Sequence, residues 1–84
     1  MRSSNVNVDN SNMNYYQLSK DYCIKGTLKA DNGNLKGALE NFNKAIEADP
    51  TNYVAYYNRA TIRIDLGNIK EARKDFSTFV MLRK

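Results

Sequence analysis

An internal repeat with a period of 34 residues constrains this chain more than any other feature. When the sequence is shifted by that distance against itself, the same residue types coincide along much of its length. They include Tyr22 and Tyr56, Gly33-Asn34 and Gly67-Asn68, Ala38 and Ala72, and Phe42 and Phe76. A period of this length is typical of one helical hairpin in a stacked repeat. The two halves are therefore expected to share one local structure.

Apolar residues recur with helical spacing in each half, and turn residues separate the runs. Asp31-Asn32-Gly33-Asn34 and Gly67-Asn68 are helix stops. Asp49-Pro50 ends another helix, because the residue before a proline is disfavoured in the α region. The sequence therefore predicts an all-α fold with four helices, packed as tandem antiparallel hairpins. Their expected ranges are 15–31, 35–48, 53–66 and 69–83.

The first residues of the chain differ in composition from the rest. Residues 1–14 are rich in Asn and Ser and have no helical periodicity. Such a segment buries too little apolar surface to offset the entropy lost on ordering. We therefore expect a disordered tail at 1–14, with a Val6–Val8 strand that pairs with a partner as the alternative. A two-repeat domain follows at 15–84, with repeat one near 19–52 and repeat two near 53–84.

The repeated positions resemble those of the tetratricopeptide repeat family. They are Tyr22, Gly26, Gly33, Ala38, Phe42, Ala45 and Pro50 in repeat one, and Tyr56, Ala60, Gly67, Ala72 and Phe76 in repeat two. Repeat two lacks the closing Ala and Pro. The resemblance covers about residues 19–84 and implies a superhelix of helical hairpins. Packing agrees with it, because small residues allow close helix crossings, and we expect Tyr22 and Tyr56 to be buried.

The resemblance also implies a function. In this family the first helix of each repeat lines a concave groove that binds peptides. Carried over, the groove residues here are Lys20, Cys23, Thr27 and Ala30 in repeat one, and Val54, Tyr57, Asn58, Thr61 and Ile64 in repeat two. The chain is therefore expected to be a protein-interaction module with a protein or peptide partner.

Some members of the family grip the carboxylates of chaperone tails with a Lys/Asn/Asn/Lys/Arg clamp. Only Asn58 matches this clamp, while Cys23 and Thr27 replace its first Lys and Asn, and the sequence holds no third repeat for the other two. We therefore do not expect chaperone-tail binding. Asn58 either bonds a peptide backbone or bonds within the repeat stack.

Four basic residues occupy equivalent positions in the two repeats: Lys25, Lys29, Arg59 and Arg63. Residues four apart share a helix face, so one interpretation is a basic patch for an acidic peptide, phosphate or RNA. The other is pairing within the chain, and we expect Arg59 to pair with Asp75. The net charge of +4 permits a nucleic-acid partner without requiring one. Nucleic-acid binding is therefore the weakest alternative function.

The last helix carries Phe76, Phe79, Val80 and Leu82, whose spacing leaves apolar atoms on more than one side. Phe79 stands where repeat one has the small Ala45, which suggests a different neighbour. Stacked repeats need about three units, or a polar cap, to cover the last hairpin. The alternative function is therefore a self-assembling repeat domain, a homodimer that uses these four residues.

Composition excludes several other classes of protein. The chain has no His, no Trp and one Cys, which removes the commonest general base, the commonest metal ligand and any internal disulfide. Cys23 has no His to activate it as a nucleophile. No apolar stretch is long enough to span a bilayer, and the N-terminus is not a secretory signal. We therefore expect no catalysis, metal, cofactor or membrane contact, and a cytoplasmic location.

Overall fold

The computed structural model describes the backbone of residues 2–84 and the side chains of residues 14–84. The chain forms four helices: α1 Arg2–Asp31, α2 Leu35–Ala48, α3 Tyr53–Asp65 and α4 Ile69–Leu82. α1 packs against α2, α3 packs against α4, and α2 packs against α3 at the junction between the two hairpins. The part of the chain that the structure describes contains no strand. The predicted all-α fold of tandem helical hairpins is confirmed.

Asparagine and glycine set the helix boundaries. Asn34 and Asn52 cap α2 and α3, because each side-chain Oδ1 accepts a hydrogen bond from the backbone N–H three residues further on, at 2.9 and 3.4 Å. Gly33 and Gly67 follow α1 and α3 with φ of 82° and 85°. Residues with a Cβ rarely adopt that conformation. The predicted boundaries at these turns are confirmed.

The start of α1 differs from the prediction. The helix begins at Arg2 rather than near Tyr15. Residues 2–14 contain no Pro or Gly, and extending an existing helix costs much less than nucleating a new one. The helix therefore continues toward the N-terminus, and the predicted start is wrong. The side chains of residues 1–13 lie outside the described part of the chain, so the tail expected at 1–14 stays a prediction.

The core lies at the junction of the hairpins. Its buried side chains are Cys23, Ala38, Phe42, Ala45, Ala55 and Ile62. Gly26 allows α1 to approach α2 closely, because a Cβ at this position would lie 2.6 Å from Cε1 of Phe42. α4 contributes fewer buried groups, and they are Ala72 and Asp75.

Two tyrosines expected in the core are half-buried instead. The Tyr56 hydroxyl donates to the carbonyl oxygen of Pro50 at 3.0 Å. The Nζ atoms of Lys25 and Lys44 lie 5.7 and 5.8 Å from the ring centroid of Tyr22. A tyrosine hydroxyl needs a polar partner or water, which keeps one end of the ring near the surface. The expectation of burial is therefore wrong for both residues.

Candidate functional site

A cavity of about 450 Å³ opens at the junction between the repeats. α1 contributes its first wall, the turn between α2 and α3 its second, and the start of α3 its third. The lining residues are Tyr16, Lys20, Cys23, Ile24, Asp49, Thr51, Asn52, Tyr53 and Val54. A concave, largely apolar site with a few polar groups is the usual form of a binding site.

Asn52 ties the two repeats together at this cavity. Its Nδ2 donates to Oγ of Ser19 at 2.8 Å and to Sγ of Cys23 at 3.5 Å, and its Oδ1 accepts from the backbone N–H of Ala55. Ser19 is fully buried and donates in turn to the carbonyl oxygen of Ala45 at 2.6 Å. Both ends of the Asn52 amide are therefore bonded within the chain. Asn52 holds the wall in place rather than offering donors to a ligand.

The other polar groups of the lining divide into two kinds. The Asp49 carboxylate is bonded within its own turn, because the N–H and Oγ1 of Thr51 donate to its Oδ1 at 3.0 and 2.7 Å. Lys20 is different, since its Nζ lies 4.7 Å from the ring centroid of Tyr16. Within residues 14–84, no carboxylate oxygen lies within 4.0 Å of that ammonium group. Lys20 is therefore the cation that the cavity presents to a ligand.

Cys23 forms part of the apolar wall. Burial raises the pKa of its thiol, and the hydrogen bond from Asn52 opposes this shift to a smaller extent. The thiol is therefore protonated at neutral pH and is a poor nucleophile. Its role at the cavity is that of a small apolar surface.

The structure brings together three of the groove residues expected from the sequence, Lys20, Cys23 and Val54. Thr27 and Thr61 lie outside the cavity lining, and their hydroxyls bond their own helices. Thr27 donates to the carbonyl oxygen of Cys23 at 3.0 Å, and Thr61 donates to that of Asn58 at 2.7 Å.

The remaining expected groove residues also lie outside the lining. Ala30 is half-buried against the core, Asn58 is half-buried, and Ile64 is exposed. Tyr57 is also exposed, at 46%, but one side of its ring packs on Phe76 and Phe79, with centroids 5.6 and 5.1 Å away.

Sequence reasoning missed several lining residues, notably Tyr16, Ile24 and Tyr53. Tyr16 precedes the first repeat, so a pattern confined to the repeat cannot include it. A signal was nevertheless present, because Tyr16, Lys20 and Ile24 are four residues apart and share one face of α1.

Phe79 finds its neighbours inside its own hairpin. In repeat one the small pair Ser19 and Ala45 is joined by a hydrogen bond. At the equivalent positions in repeat two, the rings of Tyr53 and Phe79 meet edge to face with centroids 5.9 Å apart. The larger Phe is thus matched by a larger residue on the facing helix, with Tyr57 beside it. The size of Phe79 therefore no longer argues for a neighbour outside the hairpin. Self-association through Phe76, Phe79, Val80 and Leu82 stays a prediction.

The expected ion pair between Arg59 and Asp75 is confirmed, and it forms part of a network with further residues. Arg59 donates through Nε and Nη2 to both carboxylate oxygens of Asp75, at 2.9 and 2.7 Å. Arg63 Nη1 donates to Oδ2 of Asp75 at 2.9 Å, and Arg59 Nη1 reaches Oδ1 of Asn43 on α2 at 2.9 Å. Two of the four cations in the hypothetical basic patch are therefore held by one carboxylate.

Within residues 14–84, no three or more His, Cys, Asp and Glu side chains converge as metal ligands do. None of the helices in the described region combines the length and apolar character needed to cross a membrane.

The paired hairpins and the cavity between them define a helical-repeat protein with a concave surface at the repeat junction. Two models of one family, the tetratricopeptide repeat, match residues 20–52 and residues 41–74. The chain belongs to the tetratricopeptide repeat family.

The relatives differ in length, and each of them is longer than this chain. The chain is 46% identical over 52 residues to DnaJ homolog subfamily C member 3 of Gallus gallus, which covers 62% of this chain and 10% of that protein. It is 37% identical over 51 residues, 61% of this chain and 10% of that protein, to the tetratricopeptide repeat and J domain-containing co-chaperone of Fusarium oxysporum. It is 35% identical over 75 residues to the tetratricopeptide repeat protein 36 homolog of Nematostella vectensis, covering 89% of this chain and 41% of that protein. The chain thus spans about a tenth of the DnaJ homolog's length.

Proposed function

We propose that the protein is a non-catalytic interaction module that binds an extended segment of a partner protein at the cavity between α1 and α3. The observation that carries this proposal is the cavity itself, which is concave, largely apolar and held in shape by the bonds of Asn52 and Ser19. Membership of the family supports it. A relative named as a co-chaperone also supports a protein as the partner.

The chemistry of the cavity favours an apolar anchor with an acidic neighbour. Ile24 and Val54 in the lining are 59% and 49% exposed, and covering them gains about 25 cal/mol per Å² of apolar surface. Asn52 and one oxygen of the Asp49 carboxylate are bonded within the chain, so an apolar anchor leaves these groups paired. The Lys20 ammonium favours a carboxylate beside the anchor.

A selection from random 12-residue peptides displayed on phage tests this proposal. We expect the selected peptides to share an apolar residue next to Asp or Glu. Val54→Glu should weaken their binding at least about tenfold, because it places a charge in the apolar cavity. Leu66→Glu is the matched control, since Leu66 is similarly exposed at 44% but lies outside the lining.

Lys20→Glu gives a second test of the same selection. It should shift the preferred residue beside the anchor from acidic to basic. If no peptide is selected, or if the selected peptides bind folded Val54→Glu as tightly as the unmodified chain, the proposal is wrong. Circular dichroism spectra of both variants show whether they are folded.

The nucleic-acid alternative is weakened by Asp75, which holds Arg59 and Arg63 within the repeat. A cytoplasmic location forms part of the proposal, because Cys23 is a free thiol and reducing compartments preserve free thiols. Self-assembly is a second candidate function, and the exposed apolar side chains on α1 and α4 favour it.

A further inference from the structure

The junction between the repeats has two halves, and each half has a counterpart at one end of the molecule. α2 forms one half and α3 forms the other. With the repeat offset of 34 residues, α1 is equivalent to α3 and α4 is equivalent to α2. The outer faces of α1 and α4 therefore correspond to the two halves of a contact that already exists within the chain.

The face of α1 is uncovered where its equivalent is buried. Arg59 bonds Asn43 on α2, which shows that this side of α3 faces α2. One turn further along, Ile62 is only 4% exposed, whereas its equivalent Leu28 is 58% exposed. On α1, Lys25 and Leu28 thus occupy the positions that Arg59 and Ile62 occupy on the face of α3 that packs on α2. On α1 this face is exposed.

The face of α4 shows the complementary half. Val80 is 48% exposed, whereas its equivalent Ile46 packs against the core. A shallow depression of about 540 Å³ lies on this face, lined by Arg73, Phe76, Ser77, Val80 and Met81. Ser77 occupies the position of Asn43, over which α3 lies in the internal junction.

We infer that the occupant of these faces is a second copy of this chain, with α1 of one molecule packed on α4 of the next. The end-to-end contact continues the internal junction between molecules and places Leu28 at the depression beside Phe76 and Val80. It uses surfaces other than the cavity at the repeat junction. The two proposals therefore succeed or fail separately.

One residue makes the contact between molecules weaker than the internal junction. Asp21 on α1 is equivalent to Ala55 at the start of α3, and Ala55 is fully buried in the core at that junction. The contact between molecules therefore places a carboxylate where the internal junction has a methyl group, and shielding that charge from water opposes association.

The contact is heterologous, because the two faces differ, so it does not close on itself. Mass should therefore rise with concentration beyond the dimer. A contact of one helix on one helix is small and weak, with dissociation constants of roughly 100 μM to 1 mM. Lys25 and Arg73 lie on opposing faces, so added salt should strengthen association by screening their repulsion.

Sedimentation of the full chain from about 10 μM to about 1 mM tests the inference. We expect the average mass to rise continuously and to exceed that of a dimer at the top of this range. Leu28→Glu and Val80→Glu should each weaken association at least about tenfold, because each buries a charge in the contact. Leu66→Glu, a matched change in the turn after α3, should leave association unchanged.

Mixing the two variants gives the sharpest result. The Leu28→Glu chain keeps an intact α4 face, and the Val80→Glu chain keeps an intact α1 face, so together they should form one heterodimer that grows no further. A monomer at every concentration overturns the inference. A closed dimer that Val80→Glu abolishes and Leu28→Glu leaves intact also overturns it.

A change at Asp21 tests the pairing of ends by a gain of association rather than a loss. Asp21→Ala gives α1 the residue that α3 has at the equivalent position, so it should tighten association at least about tenfold. Asp21 is exposed in the single molecule, so the variant should remain folded. If Asp21→Ala associates no more tightly than the unmodified chain, the proposed pairing of ends is wrong.

Discussion

At the scale of single residues, Asp75 has the largest electrostatic role in the second hairpin. Its side chain is 4% exposed and contacts Arg59 and Arg63, whose side chains are 16% and 20% exposed. A buried carboxylate destabilises a fold by several kcal/mol unless its charge is paired and bonded. Repeat one has Asn41 at the equivalent position, so it lacks the carboxylate on which this network is built.

Asp75→Ala should lower the free energy of unfolding by about 2–4 kcal/mol. The reason is that two guanidinium groups lose their partner while remaining partly shielded from water. Urea denaturation followed by circular dichroism measures this change. Asp65→Ala is the control, since Asp65 is exposed, and it should change the free energy of unfolding by at most about 0.5 kcal/mol. Similar small effects of both substitutions would contradict the role given to Asp75.

The sequence predicts part of this network and misses the rest. Arg59 and Asp75 could be paired because the repeat register places them on facing helices of one hairpin. The contribution of Arg63 could not, because the direction of a long side chain depends on rotamers that sequence spacing does not determine. The bond from Arg59 to Asn43 crosses between repeats and depends on how closely α2 approaches α3.

At the scale of helices, the close crossing of α1 and α2 depends on Gly26. The ring of Phe42 fills the space where a Cβ would stand, with ring carbons 2.6 and 2.9 Å from that position. Phe42 is itself only 1% exposed, so its ring has little room to move. This crossing holds the first hairpin together and keeps Cys23 and Ile24 at the cavity.

Gly26→Ala should lower the free energy of unfolding by about 1–3 kcal/mol, the usual effect of overpacking a core. Helix propensity alone predicts the opposite, since Ala favours a helix by about 1 kcal/mol over Gly. Thermal unfolding decides between the two effects. The double variant Gly26→Ala with Phe42→Leu should lose less stability than the sum of the single changes. A Gly26→Ala chain that is more stable than the unmodified chain would show that the ring moves freely.

Helix ends were predictable where a residue type forces them. Gly33 and Gly67 need positive φ, and Pro50 excludes the preceding residue from a helix, so the ends of α1, α2 and α3 follow from the sequence. The start of α1 was not predictable in the same way. Residues 2–14 carry neither a stop signal nor an apolar period, and only continuation from the helix behind them determines their backbone.

At the scale of the whole molecule, burial is concentrated at the junction and decreases toward α4. The repeat pattern predicts this junction but not the cavity beside it. Helical periodicity does not specify the path of the turn between α2 and α3, which forms one wall of the cavity. Asn52 illustrates the difference: besides capping α3 it bonds Ser19 and Cys23, and the repeat pattern does not predict those bonds. The cavity therefore depends on a contact between repeats that no single repeat contains.

Uneven burial predicts that α4 opens before the rest of the molecule. α2 buries Ala38, Phe42 and Ala45, whereas α4 buries only Ala72 and Asp75 among its residues. Native-state hydrogen exchange at low protein concentration should therefore give α4 amides a smaller opening free energy than those of α2. Equal opening free energies in the two helices would contradict this prediction.

Phe79→Ala locates the origin of the weak protection. It removes the ring contacts with Tyr53 and Tyr57 and should lower the opening free energy of α4 by about 1–3 kcal/mol, with a smaller effect on α2.

Raising the concentration of the unmodified chain gives the converse test. If α1 of a second molecule covers α4, protection should rise in α4 and stay unchanged in α2, because the covered face is then packed as the face of α2 is packed within the chain.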